Sequence, residues 1–265
     1  MTTEQKIQNI KDFRPIDDVF FEVLADDSGV CEEILRVIMN DDKLTVDEVI
    51  VQSSNRNIYG RSVRLDALCY LGSGKRVNIE VQRSDNDDHL RRVRFNSASI
   101  TVRESNPGER FADVVDVYVV YISEFDIFNG NSPIYHIDKL VRETGEVIDD
   151  GSLEIFVNTV VDDGSDIAEL MSCFKQKVVN NPKFPKLSNR VKMLKTTEGG
   201  ASVVCEVMER YQAEAVKEGS IRTLVETGCD FNASKDAIIR KLVNKFQLTE
   251  AEAIAKYEQY APVLR

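Results

Sequence analysis

The chain has 265 residues, of which 42% are hydrophobic and 30% charged, and this composition excludes a wholly disordered protein. Its formal net charge of −11 counts against a broad nucleic-acid-binding surface, although the segment from Lys75 to Arg103 carries a local excess of Lys and Arg. No apolar run approaches the ~20 residues of a membrane span, and the polar start lacks a secretory signal, so we expect a cytoplasmic protein without membrane contact.

Metal and nucleotide motifs of the common kinds are missing from the sequence. The five cysteines are scattered without a CxxC pair, and there are only two histidines, so neither a disulfide framework nor a zinc site is indicated. Cys69 lies in an apolar run and is predicted to be a small core residue. No GxxxxGK[ST], GxGxxG or HExxH pattern occurs.

The first 160 residues predict a mixed α/β domain, 1–160. Two helices are expected at 15–24 and about 31–40, followed by a β-branched run near 46–51. Further predicted elements are strands at 64–71 and 76–82, a helix at 87–103, a buried strand at 114–122, and strand-like pieces near 133–138 and 153–157. This order is typical of a mixed sheet flanked by helices.

The remainder, 161–265, is predicted to be a helical extension. Breaks are expected at the loop 180–185 and at Gly199-Gly200, and two helices follow residue 233. Thr249 and Glu252 have the spacing of a capping box at the start of the last helix. The last two helices carry mixed charges, so we expect them to serve docking or a homodimer rather than DNA reading by a helix-turn-helix.

The loop Gly72-Ser73-Gly74 between the first two full strand candidates predicts a hairpin. If it is a three-residue loop, opposed residues have numbers that sum to 146, so Asp66 lies opposite Glu80. Such pairs point to one face of the sheet with Cβ atoms about 4.5–5.5 Å apart. Gln82 shares this face, since side chains alternate along a strand.

Two facing carboxylates in an apolar sheet repel each other, and a cation between them removes the conflict. Hard oxygen ligands favour Mg²⁺ or Mn²⁺ over zinc. The alternative is a partly exposed hairpin in which Arg64 neutralises Asp66 or Glu80. A one-residue slip in register would also separate the acids.

At these residues the sequence resembles a known family. Asp66 followed by Glu80-Val81-Gln82 is similar to the PD-(D/E)XK nuclease signature, with Gln82 where Lys is usual. More specifically, residues 13–160 resemble the recombination-promoting (Rpn-type) group of PD-(D/E)XK nuclease family transposases. The matching blocks are Asp17 with Phe20, the two acidic strands, Arg91-Arg-Val-Arg-Phe95, and Val114 to Phe128. Phe21 departs from the group, which often has Lys there.

The resemblance implies a restriction-endonuclease-like α/β fold and a Mg²⁺-dependent DNA endonuclease linked to recombination or mobile elements. Asp66, Glu80 and the Val81 carbonyl are then expected to hold Mg²⁺, with Mn²⁺ as a substitute. Gln82 is expected to orient the attacking water, but it lacks the positive charge of Lys, so slower turnover is expected. The alternative is a catalytically weak or inactive nuclease fold that binds DNA or protein, and a third reading is a phosphoesterase acting on RNA or small nucleotides.

Three further charged residues are candidates for supporting roles. Arg92 and Arg94 are expected to bind phosphate, the alternative being a solvated helix face paired with Asp87 and Asp88. Asp17 is expected to support the metal site or, alternatively, to cap a helix.

One histidine and two tyrosines lie near these residues in the sequence. His89 is predicted to be a surface helix histidine, with phosphate contact as the alternative. Tyr118 and Tyr121 are predicted to lie in the core.

Overall fold

The computed structural model describes residues 2–55, 63–85 and 88–261. Over these residues it contains helices and strands in the order α1 Thr3–Ile10, α2 Asp18–Ala25, α3 Ser28–Ile38, β1 Val46–Asn55, β2 Val63–Leu71, β3 Arg76–Gln82, α4 His89–Glu104, β4 Val117–Ser123, β5 Ile134–Ile137, β6 Lys139–Leu140, β7 Val147–Ile148, β8 Ser152–Asn158, α5 Asp166–Phe174, α6 Pro185–Thr196, α7 Glu198–Asp230, α8 Lys235–Phe246 and α9 Glu250–Tyr260.

The main sheet has six strands in the order β1-β2-β3-β4-β8-β5. Strands β1, β2 and β3 form an antiparallel meander, β4 and β8 continue it in parallel, and β5 closes the edge antiparallel to β8. The central strand β4 is almost entirely buried because its sequence, VYVVYIS, offers apolar side chains to both faces. The predicted mixed sheet flanked by helices is therefore confirmed.

Helices cover the two faces of this sheet. On one face, Val93 of α4 packs with Val119 and Tyr121 of β4. On the other, Cys31 of α3 contacts Cys69 of β2, which is fully buried as predicted. Because side chains alternate along a strand, β3 presents Val77, Ile79 and Val81 to the α3 side and its polar residues to the α4 side.

The β2–β3 hairpin has the predicted register. Paired residues run from Tyr70–Arg76 to Ala67–Ile79, and each pair of numbers sums to 146. The Leu71 N–H donates to Lys75 O at 3.0 Å and the Gly74 N–H to Leu71 O at 2.8 Å. Gly74 has φ +87°, the left-handed conformation that a three-residue hairpin loop requires at this position.

The chain divides into two compact units, Met1–Cys205 and Glu206–Arg265, with the boundary inside α7. The sequence places the domain boundary near residue 160, but the first unit also includes α5 and α6, because these helices pack against α3 and α6 also packs against α2. In the second unit, α8 and α9 share a core formed by Ile238, Leu242 and Ala253, and the Thr249–Glu252 capping box is present as predicted. No helix in the described part of the chain combines the length and apolarity needed to cross a bilayer.

Candidate active site

The two candidate metal-binding carboxylates lie where β2 separates from β3. The ladder ends at Ala67–Ile79, and beyond it the Asp66 side chain replaces a backbone partner: Asp66 Oδ2 accepts the Val81 N–H at 3.1 Å. The Asp66 N–H in turn approaches Glu80 Oε1 at 3.4 Å. The end of the ladder therefore brings the two acids close together on adjacent strands.

Both carboxylates are poorly hydrated, and among the described residues the charges of Arg64 and Arg92 offset their burial only in part. Glu80 is 5% exposed and Asp66 is half-buried. Burial raises the pKa of Asp66 to about 7, and the nearby Asp18 carboxylate adds to the rise. Burial and the Asp66 charge together raise the pKa of Glu80 well above its usual range. A divalent cation would supply the positive charge that this pair lacks.

In each carboxylate one oxygen accepts a hydrogen bond, and the other is available to a metal ion. Asp66 Oδ2 is held by the Val81 N–H, and Glu80 Oε1 accepts the Asn78 amide at 2.6 Å. Among the described residues, neither Asp66 Oδ1 nor Glu80 Oε2 accepts a hydrogen bond. Two free carboxylate oxygens on adjacent strands fit the needs of a hard divalent cation.

The Val81 carbonyl is directed to the same side as these acids. The Arg76 N–H donates to Asp116 O, and Gln82 O accepts from the Glu124 N–H, so even-numbered β3 residues turn their backbone groups to β4. Val81, an odd-numbered residue, therefore turns its carbonyl towards β2. Among the described residues no cluster of three or more His, Cys, Asp or Glu side chains suits a metal. Two carboxylates, one carbonyl and several waters are a donor set typical of Mg²⁺.

A cavity of about 650 Å³ opens beside Glu80. Four arginines line it, three from α4 and one from β2: Arg91, Arg92, Arg94 and Arg64. Among the described residues, the acids in its lining are Glu80 and Asp88. Although the whole chain has a net charge of −11, the described lining of the cavity next to the candidate metal-binding pair is therefore basic.

A family model described as PD-(D/E)XK nuclease family transposase matches residues 33–158. This segment belongs to that family. No curated protein matches the chain, and no solved structure does. The six-stranded sheet with its flanking helices is accordingly the PD-(D/E)XK restriction-endonuclease-like fold, and family membership indicates a nuclease-type function. The predicted family is confirmed, although the resemblance noted from residue 13 extends further towards the N-terminus than the match.

Within the PD-(D/E)XK domain, Arg92 stands between Asp88 and the acid pair. One of its terminal nitrogens, Nη2, donates to Asp88 at 3.3 and 3.4 Å, and its charge lowers the pKa of both Asp66 and Glu80 against the effect of burial. Its Nε is buried and has no hydrogen-bond partner in the described part of the chain. Arg94 is exposed at the cavity rim. The predicted alternative partner Asp87 lies outside the described residues.

Gln82 follows Glu80 on the same face of β3, but its amide is turned to the next loop. Its Nε2 donates to Ser84 O at 2.8 Å. In this conformation one of the two Nε2 hydrogens of Gln82 is used by the backbone.

Asp17 and Asp18, the adjacent acids at the start of α2, have different surroundings. Asp17 is buried, accepts the Arg14 N–H at 2.6 Å and forms a salt bridge with Arg83 at 2.9 Å. It occupies the N-cap position of α2 without making a side-chain cap. Its neighbour Asp18 acts on the candidate metal-binding pair, since its charge raises the pKa of Asp66. Sequence reasoning named Asp17 and missed Asp18, although both stand three residues before a phenylalanine.

The prediction that His89 lies on the surface is wrong. His89 is 6% exposed, its Nδ1 lies 2.8 Å from the Tyr121 hydroxyl, and its ring packs against Phe125. The cause is tertiary: the segment after β4 covers the first turn of α4. Tyr121 is in the core as predicted, whereas Tyr118 is only partly buried and its hydroxyl bonds to Lys75 Nζ.

Proposed function

We propose that the chain is a metal-dependent DNA endonuclease that hydrolyses phosphodiester bonds and acts in recombination or in mobile elements. The observation that carries this proposal is the pair of half-satisfied carboxylates, Asp66 and Glu80, beside an arginine-lined cavity. Family membership supports the nuclease class. An enzyme with this substrate is expected in the cytoplasm.

The residues divide the work of hydrolysis between ion binding and phosphate binding. Asp66, Glu80 and the Val81 carbonyl would hold Mg²⁺, with Mn²⁺ as a substitute, and Asp18 is near enough to add negative charge. When bound, the ion supplies Lewis acidity and a water of lowered pKa. Arg92 and Arg94 would bind phosphate oxygens of the DNA backbone through their guanidinium groups. Gln82 would orient the water once its amide leaves Ser84, and it brings no positive charge to the transition state.

A second candidate function is a nuclease fold that binds DNA without efficient cleavage. The observation that favours it is the Gln82 amide, which replaces the usual Lys and is bonded to Ser84 O. The two candidates agree on metal and DNA binding and differ only in turnover.

Cleavage of supercoiled plasmid by the purified chain separates these functions. We expect nicking in Mg²⁺ or Mn²⁺ that EDTA abolishes and that a doubly substituted protein, Asp66→Ala with Glu80→Ala, purified in parallel, does not show. Single-stranded RNA and small nucleotide diesters serve as competing substrates. Metal-dependent DNA binding without nicking would favour the binding module, and a preference for RNA or nucleotides would favour a different phosphoesterase.

We also propose that the second unit forms a homodimer through its C-terminal helices. A groove of about 780 Å³ lies between α7 and α8, and Val216 and Phe231 in its lining are 69% and 82% exposed. Exposed large apolar side chains beside a groove are typical of an association surface. Sedimentation equilibrium of the full chain should give twice the monomer mass, and Phe231→Asp should shift it to the monomer; a monomeric wild-type chain would refute the proposal.

A further inference from the structure

Asn78 is a fully buried polar residue in the centre of the PD-(D/E)XK sheet. It is 0% exposed, and its neighbours on the adjacent strands are Leu68 and Val119, both fully buried and apolar. Asparagine is disfavoured in strands, and an aliphatic side chain would suit this environment. The position therefore carries a polar group that packing alone does not require.

This polar group also costs stability. Asn78 Oδ1 is buried without a hydrogen-bond partner among the described residues. An unsatisfied buried carbonyl is costly, so such a group calls for a functional explanation. The other end of the same amide has a clear partner, since Nδ2 donates to Glu80 Oε1 at 2.6 Å.

The hydrogen bond to Glu80 restricts how that carboxylate can turn. Asp66 repels it, and among the described residues it is otherwise held by the long 3.4 Å contact from the Asp66 N–H and by the charge of Arg92. The short hydrogen bond from the Asn78 amide holds Oε1. Because the amide is neutral, it does not replace the cation in balancing the charge of Glu80. With Oε1 fixed, Oε2 is the oxygen left to the ion.

We propose that Asn78 is a positioning residue that holds Glu80 Oε1 so that Glu80 Oε2 is presented to the divalent cation. This inference rests on the proposed function, because it assumes that Glu80 binds the ion. On this view, burying the amide costs stability but fixes the orientation of a metal ligand. Hydrogen-bond partners of metal ligands commonly have this role.

Isothermal titration of the EDTA-stripped full chain with Mg²⁺ alone tests this role without reference to activity. Asn78→Leu, which removes the donor and keeps the branching of the side chain, is expected to raise the Mg²⁺ dissociation constant about 10-fold or more, the range seen when partners of metal ligands are removed. Its stability to urea in EDTA should stay close to that of the wild type, because removal of the orphan carbonyl offsets the lost hydrogen bond to Glu80. Asn78→Ala removes the same donor and should show the same loss of affinity.

Two further variants distinguish positioning from a structural role. Asn78→Thr keeps a donor and should recover most of the affinity. Asn158 is a matched control, because it is a buried strand asparagine whose Nδ2 donates to Ser132 O at 2.7 Å, away from the acids. Asn158→Leu should lose stability and keep the wild-type Mg²⁺ affinity.

The outcomes separate this inference from the function on which it rests. If the wild type binds Mg²⁺ in a manner that Asp66→Asn abolishes, but Asn78→Leu and Asn78→Ala bind it equally well, the positioning role is refuted and the proposed function stands. If the wild type binds neither Mg²⁺ nor Mn²⁺, both the proposed function and the positioning role are refuted.

Discussion

Neutralising either candidate metal-binding carboxylate is expected to reduce Mg²⁺-dependent nicking at least about 100-fold and, in EDTA, to stabilise the fold. Asp66→Asn and Glu80→Gln keep the shape and the hydrogen-bond acceptor of each side chain. Without a metal, the two acids repel in a buried site, so removing one charge should raise the free energy of unfolding by about 1–3 kcal/mol. Plasmid nicking and urea denaturation in EDTA measure the two effects.

The stability gain of Asp66→Asn should depend on pH with a defined sign. The pKa of Asp66 in the folded chain is raised to about 7 from the usual 3.8, so between these values the native state binds more protons than the unfolded state. Wild-type stability in EDTA is therefore expected to fall as pH rises from about 4 to 7. The advantage of Asp66→Asn should be absent near pH 4 and complete above pH 7.

Glu104→Gln is the control of opposite sign. Arg76 and Arg103 hydrogen-bond Glu104 and lower its pKa despite partial burial, so its negative charge stabilises the fold. This variant should lose stability at neutral pH and retain nicking. If Asp66→Asn behaved like Glu104→Gln, the acid pair would be a structural feature rather than a site made for an ion.

The hairpin shows how far the sequence alone leads towards the site. A loop of Gly72, Ser73 and Gly74 permits only a few hairpin geometries, and the alternation of apolar residues in β3 selects the register. These are local constraints, so the numbering that brings Asp66 beside Glu80 could be predicted from the chain. The end of the β2–β3 ladder just before Asp66 had no local signal.

The elements that sequence reasoning missed depend on contacts between distant segments. Helix α1 is polar, buries only Ile10 fully, and has the Thr2–Gln5 capping box as its main signal. The sequence also does not show which of Asp17 and Asp18 lies near the acid pair. Arg14, Arg83 and Glu124 form the ion-pair network that engages Asp17, and two of these residues lie more than 60 positions along the chain.

Among the arginines of the cavity, Arg92 is expected to contribute most to nicking. Arg92→Gln should reduce nicking about 10- to 100-fold, because it removes both a phosphate ligand and positive charge beside Asp66 and Glu80. Arg92→Lys should restore only part of the activity, since a lysine lacks the planar fork that binds two phosphate oxygens. Initial nicking rates at saturating Mg²⁺ measure both variants.

The companion variant Arg94→Gln should act mainly on DNA affinity. Arg94 is exposed at the rim and, within the described residues, forms no hydrogen bond or ion pair with Asp66 or Glu80. Its loss should therefore weaken DNA binding and reduce the slope of log affinity against log salt concentration by about one. Arg110→Gln is the control, because Arg110 is 79% exposed, pairs with Asp113 and does not line the cavity.

The existing ion pair of Arg92 does not explain a large effect by itself. Its distances to Asp88 are 3.3 and 3.4 Å, and both side chains are about one-third or more exposed, which makes it a weak surface pair. Losing that pair alone should change stability little and leave nicking intact. A large loss of nicking in Arg92→Gln, with an unfolding midpoint unchanged in saturating Mg²⁺, would therefore place the action of Arg92 at the phosphate and the acid pair. Activity equal to Arg110→Gln would instead restrict Arg92 to its bond with Asp88.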